Sequence, residues 1–167
     1  DGGYAEYVCV PSANAHHITR DIEPAALATF GCSTLTAEHM LARVNVTEGQ
    51  TILVTGAGGG VGSAAIQLIR ARGGIPYAVT SRGKDQTLKD MGAEDCILRQ
   101  DFQTEDGRFD GEKFRIACEN VTNTRRGIDA VIDQVGGDMF HPLLQLLKPD
   151  GHYITAGTIA GYTPHVN

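Results

Sequence analysis

The sequence has 167 residues, 41% of them hydrophobic, which is enough apolar material for one buried core and too little chain for two full domains. Its formal net charge is −6 and its basic residues are dispersed, so no basic footprint favours nucleic acid or an anionic membrane surface. No apolar run approaches the roughly 18 residues that a membrane span requires, and the opening DGGYAEYVCVP has neither a basic head nor an apolar signal core.

In chain order, GYAEYVCV (residues 3–10) alternates enough for a strand, yet it has no hairpin partner nearby and would be marginal alone. The expectation is that it belongs to a sheet outside this sequence. Pro24 to Val44 reads as a helix with proline near its start. From Thr51 onward strands and helices alternate, the pattern of a parallel sheet covered on both faces. TILVTG (51–56) is a buried strand, and Val61, Ala64, Ala65, Leu68 and Ile69 recur at helical spacing until Gly73 and Gly74 stop the helix. IPYAVTS (75–81) is a second strand, followed by a helix to Met91 closed by Gly92, and DCIL (95–98) a third strand.

Residues 99–112 hold charges and glycines without apolar periodicity, so they are expected to form an exposed excursion. Phe114, Ala117, Cys118 and Val121 then mark one face of a helix. IDAVIDQV (128–135) is a fourth strand, MFHPLLQLL (139–147) a short helix, PDG (149–151) a turn and HYITAG (152–157) a fifth strand.

The turn GAGGGVG, residues 56–62, places five glycines in seven positions between the first buried strand and its helix. Such a turn aims backbone N–H groups and the positive helix end at one spot, which suits a phosphate. Glycine lets the backbone turn tightly and approach a pyrophosphate without a Cβ in the way. Gly56, Gly59 and Gly62 lie three apart, and the frame that would read GxGxxG has Ala57 in its first place. A glycine-rich turn with only a structural role is the plain alternative; the βαβ setting favours a dinucleotide.

A P-loop would require a lysine followed by serine or threonine, whereas Gly62 is followed by Ser63 and Ala64. An S-adenosylmethionine-dependent methyltransferase also fits GAGGG and stays open. Both that class and NAD sites usually carry an acid at the end of the second strand, where this chain reads VTSRGK. Ser81, Arg82 and Lys84 would attract a 2′-phosphate that an acid would repel, so NADP is expected over NAD, unless these residues are simply a solvated surface. If Ser81 and Arg82 contribute about 2 to 4 kcal/mol, the preference is roughly 30 to 1000-fold.

An ordered set of segments goes further than the glycines. GGYAEYVCVP, GCSTLTAEHML, GQTILVTGAGGGVGSAAIQL, LKDMGAEDCI, GIDAVIDQVGG and LLKPDGHYITAG together resemble the cofactor half of a medium-chain dehydrogenase/reductase, the superfamily of zinc alcohol dehydrogenases and quinone oxidoreductases. The resemblance implies an α/β fold: a doubly wound parallel Rossmann sheet at 21–167 lacking its last strand, with residues 1–20 a remnant of a GroES-like catalytic domain. It implies hydride transfer between NADPH and a carbonyl, quinone or activated alkene in the parent protein, with this chain alone inactive. A non-catalytic NADP-binding module is the remaining alternative.

By the same resemblance, Gly59, Gly60, Val61 and Gly62 cradle the pyrophosphate, and Ser81, Arg82 and Lys84 meet the adenosine phosphate. Thr36 lies near the nicotinamide, together with Val135 and Gly136 after the fourth strand and Ala156 and Gly157 after the fifth. The last four also obey the rule that ligands sit beyond the carboxyl ends of parallel strands. Cys32 stands four residues before Thr36, the spacing of a catalytic zinc ligand in zinc alcohol dehydrogenases, so zinc is an expectation for the parent; the alternative is a small buried hydrophobe.

His141, His152 and His165 are expected at surfaces or caps, His16 and His17, being adjacent, point in different directions, and His39, seven residues after Cys32 on the expected helix, is too far from it to share a metal. The four cysteines have no CxxC pair, which fits reduced thiols and a cytoplasmic location. The expected partners are a small-molecule substrate and further copies in a homo-oligomer, with neither nucleic acid nor membrane.

Overall fold

The computed structural model describes residues 3–124 and 126–161. Five strands form one parallel sheet: β1 (Thr51–Val54), β2 (Ile75–Thr80), β3 (Asp95–Leu98), β4 (Ile128–Asp133) and β5 (Leu147–Thr155), in the order β3-β2-β1-β4-β5. Succession runs outward from β1 to β3, then returns to the other side of β1 for β4 and β5. That reversal opens a crevice between β1 and β4 at their carboxyl ends, the switch point at which open α/β sheets bind ligands.

The alternation of side chains across each strand explains the two covered faces. Ile52 and Val54 of β1, Ala78 of β2 and Ile132 of β4 turn to one side. There they meet α2 (Leu35–Val44), α3 (Gly60–Ala71) and Leu88 of α4 (Asp85–Asp90). Leu53, Val79 and Val131 turn to the other side, against α5 (Gly111–Thr122) and α6 (Phe140–Gln145). All four residues of β1 are buried, as its central place requires. The α5 face carries Phe114 and Cys118 with no exposure, and Asp110 caps the helix by accepting the Lys113 N–H at 2.9 Å.

The helix expected over 24–44 divides into α1 (Pro24–Ala28), a π-helical turn at Phe30–Thr34 and α2. A wider turn of this kind interrupts regular helical bonding and commonly marks a functional segment. Residues 3–10 form no strand: they are exposed, with Tyr4 and Tyr7 facing solvent, because no neighbouring strand lies beside them to satisfy their backbone. The excursion at 99–112 is only partly exposed. Arg99–Phe102 is a short 3-10 helix that buries Phe102, whose ring meets Phe114 edge-on at 5.3 Å, and Phe109 packs on the same ring at 5.2 Å. Isolated aromatic anchors leave no periodicity for a sequence to display.

The expected turn at 149–151 lies inside β5. Ile128 pairs with Leu147 and the next pair is Ala130 with His152, so β5 loops out between them, with Asp150 at a left-handed φ of 63°. No helix among the described residues is long and apolar enough to cross a membrane.

Candidate functional site

The crevice is built on the turn after β1. Gly56 takes a positive φ of 57°, which a side chain would resist, and the chain then runs beneath the end of β2, where the Ala57 N–H donates to the Val79 carbonyl at 3.2 Å. A Cβ on Gly58 would stand 2.5 Å from Lys84 Cδ and 3.0 Å from Thr80 Oγ1. On Gly62 it would stand 2.5 Å from the Ala57 Cα. Glycine at these two positions therefore allows the loop to lie against β2 and α3 to lie against the loop. Gly59 precedes α3 with an extended backbone and donates its own N–H to the Gly56 carbonyl at 3.0 Å. The N–H groups of Gly60, Val61 and Gly62 begin the helix and have no intrahelical acceptor, so they are free for an anion.

Gly56, Gly58 and Gly59 form one side of a cleft of about 210 Å³. Thr80, Ser81, Lys84 and Arg99 form another side, and Val135, Met139 and Ile159 close it with apolar surface. No carboxylate lines it among the described residues. Two details fit a phosphorylated ligand. The Thr80 hydroxyl is buried at the cleft with no hydrogen-bond partner, an arrangement that a ligand's oxygen would relieve. The Lys84 ammonium reaches across to the Gly58 carbonyl at 3.2 Å, so a cation already stands over the glycine turn.

Of the residues singled out in the sequence, Gly56, Gly59, Ser81, Lys84 and Val135 meet in this cleft. Arg82 does not line it. Its guanidinium pairs with Asp101 at 2.6 Å on the surface, while its backbone N–H donates to Gln100. The cations of the cleft are Lys84 and Arg99. Arg99 and Thr80 escaped the sequence reading; Arg99 fell within a segment taken for a loop, and its signal was its place directly after β3. Thr36 is half-buried in the first turn of α2, one turn before Met40, whose sulfur receives the Gln134 side-chain amide at 3.1 Å beside Val135. Ala156 donates its N–H to the Asp133 carbonyl at 3.3 Å, and Gly157 packs on Gln134, so both adjoin the end of β4.

At that end stands a residue that sequence reading missed. Asp133 is fully buried and accepts from four donors: the Thr55 and Tyr153 hydroxyls and the Val135 and Gly136 N–H groups, the last two at 2.9 Å. The backbone bonds turn the chain and end β4 at Asp133, two residues before the expected boundary. Burial, then the hydrogen bond to Asp133 and its charge, raise the Tyr153 phenol above its usual range.

Cys32 lies on the π-helical turn and is exposed, so it is not the buried hydrophobe that a lone cysteine suggests. With Ser33 and Gly60 it lines a second depression, of about 330 Å³, beside the start of α3. Among the described residues no three His, Cys, Asp or Glu side chains are grouped to hold a metal ion, and one thiol does not fit a zinc site. His165 lies outside the described residues. Alkylation followed by mass spectrometry is expected to label Cys9 and Cys32 quickly. Cys118, whose thiol pKa is pushed up by burial, is expected to react only after unfolding. Labelling of Cys118 at the rate of Cys32 would contradict its place in the core.

Residues 60–167 match the zinc-binding dehydrogenase family. The chain belongs to that family. The chain is 33% identical over 172 residues to an NAD-dependent alcohol dehydrogenase of Sulfolobus acidocaldarius, covering 99% of this chain and 45% of that protein. A provisionally assigned alcohol dehydrogenase of Sinorhizobium meliloti 1021 superposes with a TM-score of 0.85 at 46% identity, over 100% of this chain and 43% of that one. A crotonyl-CoA carboxylase/reductase solved in complex with NADP superposes with a TM-score of 0.69 at 27% identity, over 78% of this chain and 36% of that one. The chain thus spans less than half the length of these relatives. The resemblance to the cofactor half of a medium-chain dehydrogenase/reductase, and the Rossmann fold it implied, hold.

Proposed function

We propose that this chain holds the cofactor of an NADP-dependent oxidoreductase, which moves a hydride between NADPH and a carbonyl, quinone or activated alkene. One observation carries the choice of cofactor: among the described residues, the cleft beside the glycine turn is lined by Lys84, Arg99 and Ser81 and by no carboxylate. Two cations and a hydroxyl complement a 2′-phosphate, whereas a site built for NAD places an acid against the free ribose hydroxyls. The NADP-bound reductase among the structural relatives supports this reading, while the Sulfolobus relative is an NAD-dependent enzyme, so the preference rests on this chain's own residues.

The nicotinamide, when bound, supplies or accepts the hydride. The chain's part is to hold the pyrophosphate on the free N–H groups of Gly60, Val61 and Gly62, to neutralise the adenosine phosphate with Lys84 and Arg99, and to shield the ring system with Val135 and Ile159. Polarisation of the substrate comes from groups outside the described residues, and zinc in the whole protein would need ligands from there besides Cys32. The methyltransferase alternative is not favoured, because the family match is to dehydrogenases.

Fluorescence titration with NADPH, NADH and S-adenosylmethionine tests the reading. NADPH is expected to bind about 30-fold or more tightly than NADH, with no response to S-adenosylmethionine. Equal affinity for both dinucleotides would remove the 2′-phosphate argument. Binding of S-adenosylmethionine alone would overturn the oxidoreductase reading.

A further inference from the structure

Asp133 has more hydrogen bonds than ending a strand requires. A carboxylate offers about four acceptor positions, and here each meets a donor from a different place: Thr55 at the end of β1, Tyr153 in β5, and the N–H groups of Val135 and Gly136. Thr55 directly precedes Gly56, and its hydroxyl oxygen also accepts the Gln134 N–H at 2.9 Å. Beyond the turn, the Val135 carbonyl accepts the Ala160 N–H at 2.8 Å and so holds the loop that carries Ile159. Gly136 and Gly137 both take positive φ, and a Cβ on Gly137 would stand 2.8 Å from Ala160 Cβ. Glycine takes these conformations without strain and lets the turn lie close to that loop, while the bonds to Asp133 select this one among the several that glycine allows.

We propose that Asp133 is a positioning residue for the nucleotide. It sets the apolar wall of the cleft, Val135 directly and Ile159 through Val135, at a fixed distance from the glycine turn, to which Thr55 ties the same carboxylate. The inference rests on the reading of the cleft as a dinucleotide site. It assigns a role to a side chain that touches no ligand, and the role is separable from that of Ser81, Lys84 and Arg99. Those residues stand on the opposite wall and read the phosphate, whereas Asp133 sets the width of the slot.

Asp133→Asn places an amide NH₂ where a donor already points, so at least one donor loses its acceptor and the turn relaxes. The comparison variant is Asp129→Asn at the amino end of the same strand. Asp129 accepts the Thr51 N–H at 2.8 Å and pairs with Lys148, so its loss weakens the sheet far from the cleft. NADPH and NADH affinities and the thermal midpoint are measured for both variants and the parent. Asp133→Asn is expected to weaken both dinucleotides by the same factor, roughly 10 to 100-fold, leaving their ratio unchanged. Asp129→Asn is expected to lower the midpoint with affinities held within about threefold.

Tyr153→Phe removes one donor and keeps both backbone bonds, so a smaller loss of affinity in the same direction is expected, and this variant carries the test if Asp133→Asn fails to fold. Undiminished affinity in the folded Asp133→Asn protein, or in Tyr153→Phe where the first does not fold, overturns the positioning role alone. Equal losses in Asp129→Asn and Asp133→Asn reduce Asp133 to a structural residue. A parent protein that binds neither dinucleotide overturns both the role and the functional reading beneath it.

Discussion

Gly62→Ala is expected to weaken NADPH binding by on the order of 100-fold while costing about 1 to 3 kcal/mol of stability. The added Cβ would lie 2.5 Å from the Ala57 Cα and 2.6 Å from the Gly56 carbonyl oxygen, closer than carbon atoms tolerate. Both neighbours are backbone, so no rotamer change relieves the contact. α3 must move away from the turn, and its free N–H groups move with it, away from the proposed place of the pyrophosphate. The comparison is Gly31→Ala, where nothing lies within 4 Å of the added atom and φ is not left-handed. That change is expected to leave binding unaltered. Wild-type NADPH affinity in folded Gly62→Ala would show that the start of α3 does not hold the cofactor.

The second large effect concerns selectivity. Replacing Lys84 and Arg99 together with alanine is expected to lower NADPH affinity by roughly 30 to 1000-fold and to change NADH affinity by less than about threefold. Titrations of the double variant with both dinucleotides read this directly. Arg82→Ala provides the contrast, because its guanidinium is held by Asp101, about half of each side chain or more lies in solvent, and such exposed pairs contribute little. It is expected to alter the NADPH to NADH ratio by less than about threefold. If Arg82→Ala alone removes the preference, the guanidinium leaves Asp101 for the phosphate, and the assignment of the cations must be reversed.

The fold was legible where periodicity was strong. TILV and IPYAVT are short runs rich in β-branched and apolar residues, and the α3 and α5 faces repeat at helical spacing, so their burial could be read in advance. Residues 3–10 alternate as a strand does, but alternation describes a strand's faces and not its neighbours, and they form no strand here, where no partner lies alongside. Phe102 and Phe109 were invisible because each enters the core alone.

In the candidate site, the glycines announced the turn through their spacing. The choice between Arg82 and Arg99 depends on which cation meets an acid first, and Asp101 is 19 residues from Arg82 in sequence. Asp133 stood inside an apolar run, IDAVIDQV, where one acid gives no sign that donors from β1 and β5 converge on it.

The strand order also bears on how the cleft comes into being. No two adjacent strands here are joined by a hairpin, and the contact between Thr55 and Asp133 closes a separation of 78 residues. Contacts so distant in sequence must meet the entropy of closing a long loop before they return any stabilisation, which slows their formation. During synthesis, β1, β2 and β3 emerge with one side of β1 still bare, and the cleft lacks its apolar wall until β4 arrives. A nucleotide that needs both walls can therefore stabilise only the completed sheet, acting as a late check that the two halves have met in register.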